Sequence, residues 1–302
     1  MPLNSVNTNI AAQVALQSLN TTTTQLQSVQ KAISTGYRVA DATDDGGAFS
    51  VAQRVRGDVA AITTVNQQLG NAKGLVGTAL SSLTTISNYL TSAKSLLVDI
   101  GNASIPQAQR DQYVASYKSL VQEVADTTDN STYNGQTLLG SAAGAVAGTS
   151  TSVINNENGS TSKISGEDTS TLANTLATFI GSTFSRTAAG VDSFGAIAAG
   201  ADQTSAATAL SGTTGATSFS TAQTGVSNQL NQAGADSNYL DATISFNSTK
   251  IDALNAGLGA LIDTDLSKES ATLQALQIRE QLGTQALSLA NQSPQSLLSL
   301  FK

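Results

Sequence analysis

The chain has 302 residues, 40% of them hydrophobic but only 4% aromatic, and a net charge of −7. It contains neither Cys nor His, which excludes disulfides, Cys- or His-ligated metals, thiol nucleophiles and imidazole general bases. The acidic balance offers no basic footprint for nucleic acid or an anionic membrane, and no apolar run reaches the roughly 20 residues that span a bilayer.

Met1 to Ile33 steps through Ala12, Ala15, Leu19, Thr22, Leu26, Val29 and Ile33, an amphipathic helix with a thin apolar stripe. Small and polar residues on that stripe bury little area, so the helix needs partners to hold it. The N-terminus lacks the charged segment and apolar core of a secretory signal peptide, so on these features alone the expected location is the cytoplasm. Ser34 to Gly47 breaks the periodicity, with Gly36, Gly46 and Gly47 around Asp41, Asp44 and Asp45. Such carboxylates can hold a metal or start a helix. The ligand spacing of a calcium loop is absent, so capping is the reading preferred.

From Ala48 to Ile100 alternating steps of three and four pick out Ala48, Val51, Val55, Asp58, Ile62, Val65, Leu69, Ala72, Val76, Ala79, Leu83, Ile86, Leu90, Ala93, Leu97 and Ile100, with Asp58 as the one polar member. This is a coiled-coil seam. A helix over that span is about 80 Å long, against about 50 Å for a compact globule of this chain length, so a rod is expected. Gly101 and Asn102 read as its stop and Pro106 as the first turn of a second helix, with Tyr113, Tyr117, Leu120 and Val124 on one face. In Thr132 to Leu139, Asn134-Gly135 sits between strand-like residues and predicts a hairpin.

Residues 140 to 217 shift to Ser, Thr, Ala and Gly, with a short apolar piece at Ser152-Val153-Ile154 and a helical pattern near Leu172 to Ile180. The insert is either a small α+β module or a loosely ordered lobe. A second seam follows through Val226, Leu230, Ala233, Ser237, Leu240, Ile244, Asn247, Ile251, Leu254, Leu258 and Leu261. Asp263-Thr264-Asp265 marks a break with a new N-cap. The last helix carries Leu266, Leu273, Leu276, Leu287 and Ala290 on one face and Ile278, Leu282 and Leu289 on another, and two apolar faces imply more than one neighbour. Pro294 is expected to interrupt it, leaving Leu297, Leu298, Leu300 and Phe301 as an apolar tail.

Certain words of the sequence resemble bacterial flagellin: Asn7-Thr8-Asn9, Ile33 to Val39, Ala42 to Asp45, Thr132 to Gly135, Gln277-Ile278, and Leu289 to Gln292 followed by Leu297 to Leu300. The resemblance covers both ends and leaves the insert unmatched. It implies a mainly α, elongated molecule with a β-hairpin and an outer insert: residues 1–40 and 265–302 as paired terminal helices of an inner filament core, 41–140 and 217–264 as a helical rod domain, and 141–216 as a surface-exposed insert. The implied rod seam comprises Val55, Ile62, Leu69, Val76, Leu83, Leu90, Leu97, Leu240, Ile244, Ile251, Leu254 and Leu258. The implied filament-core contacts are Leu19, Leu26, Ile33, Leu273, Leu276, Leu287, Leu297, Leu298, Leu300 and Phe301.

The resemblance also implies a self-polymerising subunit exported by the flagellar type III apparatus with a chaperone, located outside the cell and meeting filament cap and hook-filament junction proteins. No cofactor, nucleic acid or membrane enters this reading. In flagellins that activate an innate immune receptor, the matching stretch of the long helix carries Arg. Here it reads Leu90, Ser92, Lys94, Leu96, with Ser92 at the Arg position, which implies weak receptor binding. The rival is a hook-filament junction protein or another rod-shaped flagellar component. An enzyme is not expected: a metalloprotease insert needs a His pair, and no pair of carboxylates is placed in a definable pocket.

Overall fold

The computed structural model describes residues 8–144, 146–212 and 218–299; of residues 293–299 it describes the backbone alone. The described residues form α1 (Ile10–Thr35), α2 (Gly46–Gly101), α3 (Gln107–Asn130), β1 (Thr151–Ile154), β2 (Thr161–Ile164), α4 (Leu172–Thr178), β3 (Phe184–Arg186), β4 (Asp192–Phe194), α5 (Ala201–Ser211), α6 (Phe219–Ile262) and α7 (Leu266–Ser299). They divide into two compact units, Met1–Ala60 with Asp252–Lys302, and Ala61–Ile251. The boundary falls within α2 and within α6.

In the first unit α1 packs along α7. The Asn9 side-chain oxygen caps α1 by accepting from Ala12 N at 3.1 Å, and Gly36 ends it in the left-handed conformation at φ 75°. Thr21, Thr22, Thr23 and Thr24 sit mid-helix because each hydroxyl donates to the carbonyl four residues back. The turn after α1 is clasped to the end of α6: Thr264 N donates to Gly36 O, Arg38 N to Ile262 O, and the Arg38 guanidinium to Leu261 O at 2.6 Å. A cation on the last carbonyls also suits the helix dipole.

The three aspartates before α2 are absorbed by that turn. Lys31 pairs with Asp41 and Asp44, Asp44 accepts from the backbone of Ala40 and Asp41, and Asp45 accepts from Ala48 N as the N-cap of α2. At this end of α2 the buried residue is Ala52, packed on Val39 and Ile262, while Val51 is 41% exposed and Val55 half-buried. A straight helix drifts about 20° per heptad from a 3.5-residue repeat, so a line extrapolated from the middle of the seam slips off the buried face.

The second unit holds the larger core. Every seam residue of α2 from Ile62 to Ile100 is buried, and most join one apolar cluster with Val114, Tyr117, Val121, Val124 and Ala125 of α3 and with Val226, Ala233 and Leu240 of α6. Tyr113 and Leu120, expected on the inner face of α3, are half-buried beside Val114 and Val121. The same cluster continues through Leu138, Leu139, Val153, Ile164, Leu172, Leu176, Ile180 and Phe184. The described part of the insert, from Ala142 to Ala209, therefore shares a core with α2, α3 and α6. Antiparallel β1–β2 and β3–β4 are two separate two-stranded sheets.

One expectation is met in shortened form and one is corrected. Asn134 and Gly135 do form the tight turn, at φ 51° and 75°, but pairing is confined to one bridge, Tyr133 to Gln136. Leu138 and Leu139 are pulled into the core, and their carbonyls accept from Glu167 N and Thr169 N instead of from a hairpin partner. Pro294 does not end α7, which stays helical to Ser299. Proline has no N–H for the carbonyl four residues back, and that carbonyl, Ala290 O, accepts from the Asn9 side-chain amide at 2.7 Å.

Candidate polymerisation surface

The α1–α7 pair uses one face of each helix. Leu26 and Leu276 are buried, and Leu19, Ile33, Leu273 and Leu287 are half-buried. Gly283 gives close approach: a Cβ there would lie 3.2 Å from Leu19 Cδ1. Of the remaining predicted core contacts, the side chains of Leu297 and Leu298, and Leu300 and Phe301 entirely, lie outside the described residues.

The opposite faces remain apolar and uncovered. Ile278 and Leu282 are each 58% exposed and Leu289 71%, while Ile10 is 49% and Val14 60% exposed. Helical spacing of four and seven lines these residues up in stripes. Exposed stripes of this kind mark surfaces made for a protein partner. The sequence already showed the second face of α7, but Ile10 and Val14 could be separated from the inner stripe only by seeing which side α7 covers.

Among the other expected seam residues, Leu69, Val76, Leu83, Leu90, Leu97 and Leu240 are buried in the second unit, as is Ile62. Ile244, Ile251, Leu254 and Leu258 are half-buried. The polar seam position Asn247 is 1% exposed and donates to Asn155 O at 3.2 Å, which ties the end of β1 to α6. Lys250 adds an ion pair to Glu157, whose carboxyl it holds below its usual pKa. In the receptor-related stretch, Leu90 is buried and Leu96 half-buried, so the surface offered is Ser92 and Lys94. The Ser92 hydroxyl is turned back onto Asn88 O at 3.3 Å.

Two ionic features of the second unit were not visible in the sequence. The Arg186 side chain, 4% exposed, meets Asp192 through two bonds of 2.5 and 2.6 Å, Asp129 at 3.0 Å and Asp126 at 2.8 Å. Its pKa is raised, first by the Asp192 bonds. Glu167 is 5% exposed, and its Oε1 has no hydrogen-bond partner. Burial, and then the charge of Asp236, push it up to about 7. Arg186 fastens the insert to α3.

The sequence comparisons decide the family. The model of the bacterial flagellin N-terminal helical region matches residues 6–143, and that of the C-terminal helical region matches residues 217–301. The chain belongs to the bacterial flagellin family. It is a structural subunit of the flagellar filament.

Similar relatives span its full length. Flagellin FljK and flagellin FljO of Caulobacter vibrioides are 32% and 34% identical over 302 residues, covering 100% of both chains in each case. A flagellin of Brucella melitensis is 34% identical over 303 residues, covering 99% of each. The crystal structure of Bacillus cereus flagellin is 16% identical, covers 68% of this chain and 94% of that one, and has a TM-score of 0.32, too low to bear on the fold.

Proposed function

We propose that this flagellin makes its lattice contacts through the uncovered stripes of the α1–α7 pair, and that assembly is what completes the packing of its chain ends. The observation that carries this is the contrast in burial. Among the described residues of the first unit, the buried apolar side chains are Leu26, Val39, Ala52, Ile262 and Leu276. On the same pair of helices seven large apolar residues, Leu16 and Leu266 among them, are between 47% and 71% exposed. Helices held by so little burial are marginal alone, and a neighbour that covers the second face supplies the missing apolar area. Torque transmission then depends on the stiffness of the lattice, and no residue needs to perform chemistry.

Seeded polymerisation of the full chain tests the assignment. Ile278→Ser with Leu282→Ser is expected to abolish filament growth without loss of helical content by circular dichroism. Filaments as long as those of the unsubstituted protein would overturn it. Family membership further supports export through the flagellar type III apparatus with a chaperone, and contact with cap and hook-filament junction proteins. Retention of the protein inside cells that lack the export apparatus is the corresponding check.

A further inference from the structure

We propose that Asn9 and Pro294 form a two-ended clasp that makes the helicity of the last turns of α7 conditional on the docking of α1. One side chain performs two tasks. Its Oδ1 accepts from Ala12 N at 3.1 Å and caps α1, while its Nδ2 donates to Ala290 O at 2.7 Å across 281 residues of sequence. Ala290 is the residue whose carbonyl would take the N–H of residue 294, and proline supplies none.

The pairing is therefore complementary in a specific chemical sense. Proline deletes one donor from the interior of α7, and a helix interrupted in this way tends to kink or stop. The deleted donor is replaced from outside by an amide that is itself positioned by the start of α1. Asn suits the place better than the other good N-cap residues, because Ser, Thr and Asp offer an acceptor to the cap but no amide donor to the second helix. Asn9 is half-buried, so water competes only in part for the carbonyl. The geometry also fixes register: a slip of α1 by one turn would move the amide about 5 Å along α7, away from the carbonyl that lacks a donor and onto carbonyls already paired within the helix.

This device rests on the filament reading, because the chain ends are the parts that assembly completes. It predicts a thermodynamic coupling that capping alone does not. Asn9→Asp keeps the cap acceptor but places a carboxylate oxygen against Ala290 O, and Asn9→Ser keeps a cap but cannot reach. Pro294→Ala restores the missing N–H, so that Ala290 O is paired within α7 whatever stands at position 9.

The test measures the critical concentration for seeded filament growth in a double-mutant cycle on the full chain. With Pro294 present, Asn9→Asp and Asn9→Ser are expected to raise it roughly tenfold, the scale of one carbonyl left unpaired. With Pro294→Ala, Asn9→Ser should change it less than about twofold, while Asn9→Asp keeps only the part of its effect that comes from setting a carboxylate against Ala290 O. An equal effect in both backgrounds would show that position 9 acts on assembly independently of Pro294, and no effect in either would show that Asn9 acts only as a helix cap; both overturn the proposal. The unsubstituted protein is the control for the filament reading itself, since its failure to polymerise would refute that reading and not the clasp. Thermal unfolding of each monomer separates a general folding defect from a defect confined to the ends.

Discussion

Replacing Arg186 by Met should detach the insert from α3. The guanidinium is 4% exposed and is shared by three carboxylates whose side chains are 10%, 23% and 61% exposed at Asp192, Asp129 and Asp126. The Asp126 contact is largely in water and contributes at most about 1 kcal/mol. The other two matter more, because deleting the cation leaves two mostly buried negative charges facing each other. Removing one partner of such a buried pair costs about 3 to 5 kcal/mol. For a cooperative unit of this size, each kcal/mol lowers the midpoint by about 2 to 4 °C, so a drop of roughly 6 to 20 °C is expected. Burial alone would raise the Asp129 pKa, but bonds from Ser141, Arg186 and the backbone of Ala142 and Ala143 outweigh it and hold the group below its ordinary value. A carboxylate with a depressed pKa stabilises above its unfolded pKa and loses that contribution as pH falls through the folded one. The cost of Arg186→Met should therefore shrink at acid pH, where the abandoned Asp129 carboxylate can take a proton. Adding Asp129→Asn and Asp192→Asn should restore most of the loss at neutral pH. Thermal unfolding followed by circular dichroism, with protease cleavage between Ser141 and Ser211 as a local readout, checks both points. A midpoint within about 2 °C of the unsubstituted protein would show that the cluster is not buried as described.

Two further outcomes are expected. Leu83→Ala removes a side chain that is 0% exposed in the middle of α2, and should cost about 2 to 5 kcal/mol by chemical denaturation; a change within error would place Leu83 at the surface. Glu167→Gln should make stability flatter with pH. With its folded pKa at about 7, above the ordinary carboxylate value, Glu167 contributes stability that is full below its unfolded pKa and is lost as pH rises through about 7. The Gln variant should thus gain on the unsubstituted protein between pH 5 and 8, by about 1 to 3 kcal/mol, and identical pH profiles would refute the assignment.

What was legible in the sequence was what repeats. From Ile62 to Ile100, apolar residues at steps of three and four lie along one buried face, because local spacing alone decides which side chains share a side of a helix. What was hidden depends on residues far apart in the chain. Asn247 looks like a flaw in an apolar seam until its partner appears, the backbone carbonyl of Asn155, 92 residues earlier. Arg186 gathers carboxylates from α3 and β4, and no spacing rule links those segments. β3–β4 and α5 leave no period in the sequence because their apolar runs are too short, although Gly200 and Gly212, both at positive φ, bracket α5 as punctuation. Pro294 departs from its expected role for a related reason: the rule that proline ends a helix assumes that nothing outside the helix replaces the lost donor.

The polar groups of the chain ends explain why the uncovered stripes read as a surface for assembly and not as a folding defect. In α1 the hydroxyls of Thr21 to Thr24 are returned to their own helix, and both ends of the Asn9 amide are used. The turn that follows uses Lys31, Arg38, Asp41, Asp44 and Asp45 internally. With these hydrogen-bonding demands met within one subunit, a second copy approaching the outer faces of α1 and α7 meets the exposed apolar side chains of Ile10, Val14, Ile278, Leu282 and Leu289 among polar neighbours such as Gln277, Arg279 and Gln281. Burying such area without stranding donors or acceptors is the condition under which an exposed stripe favours association. A charge introduced on that face, as opposed to a small neutral residue, would add desolvation to the lost packing, so Leu282→Asp alone should slow filament growth more than Leu282→Ser alone.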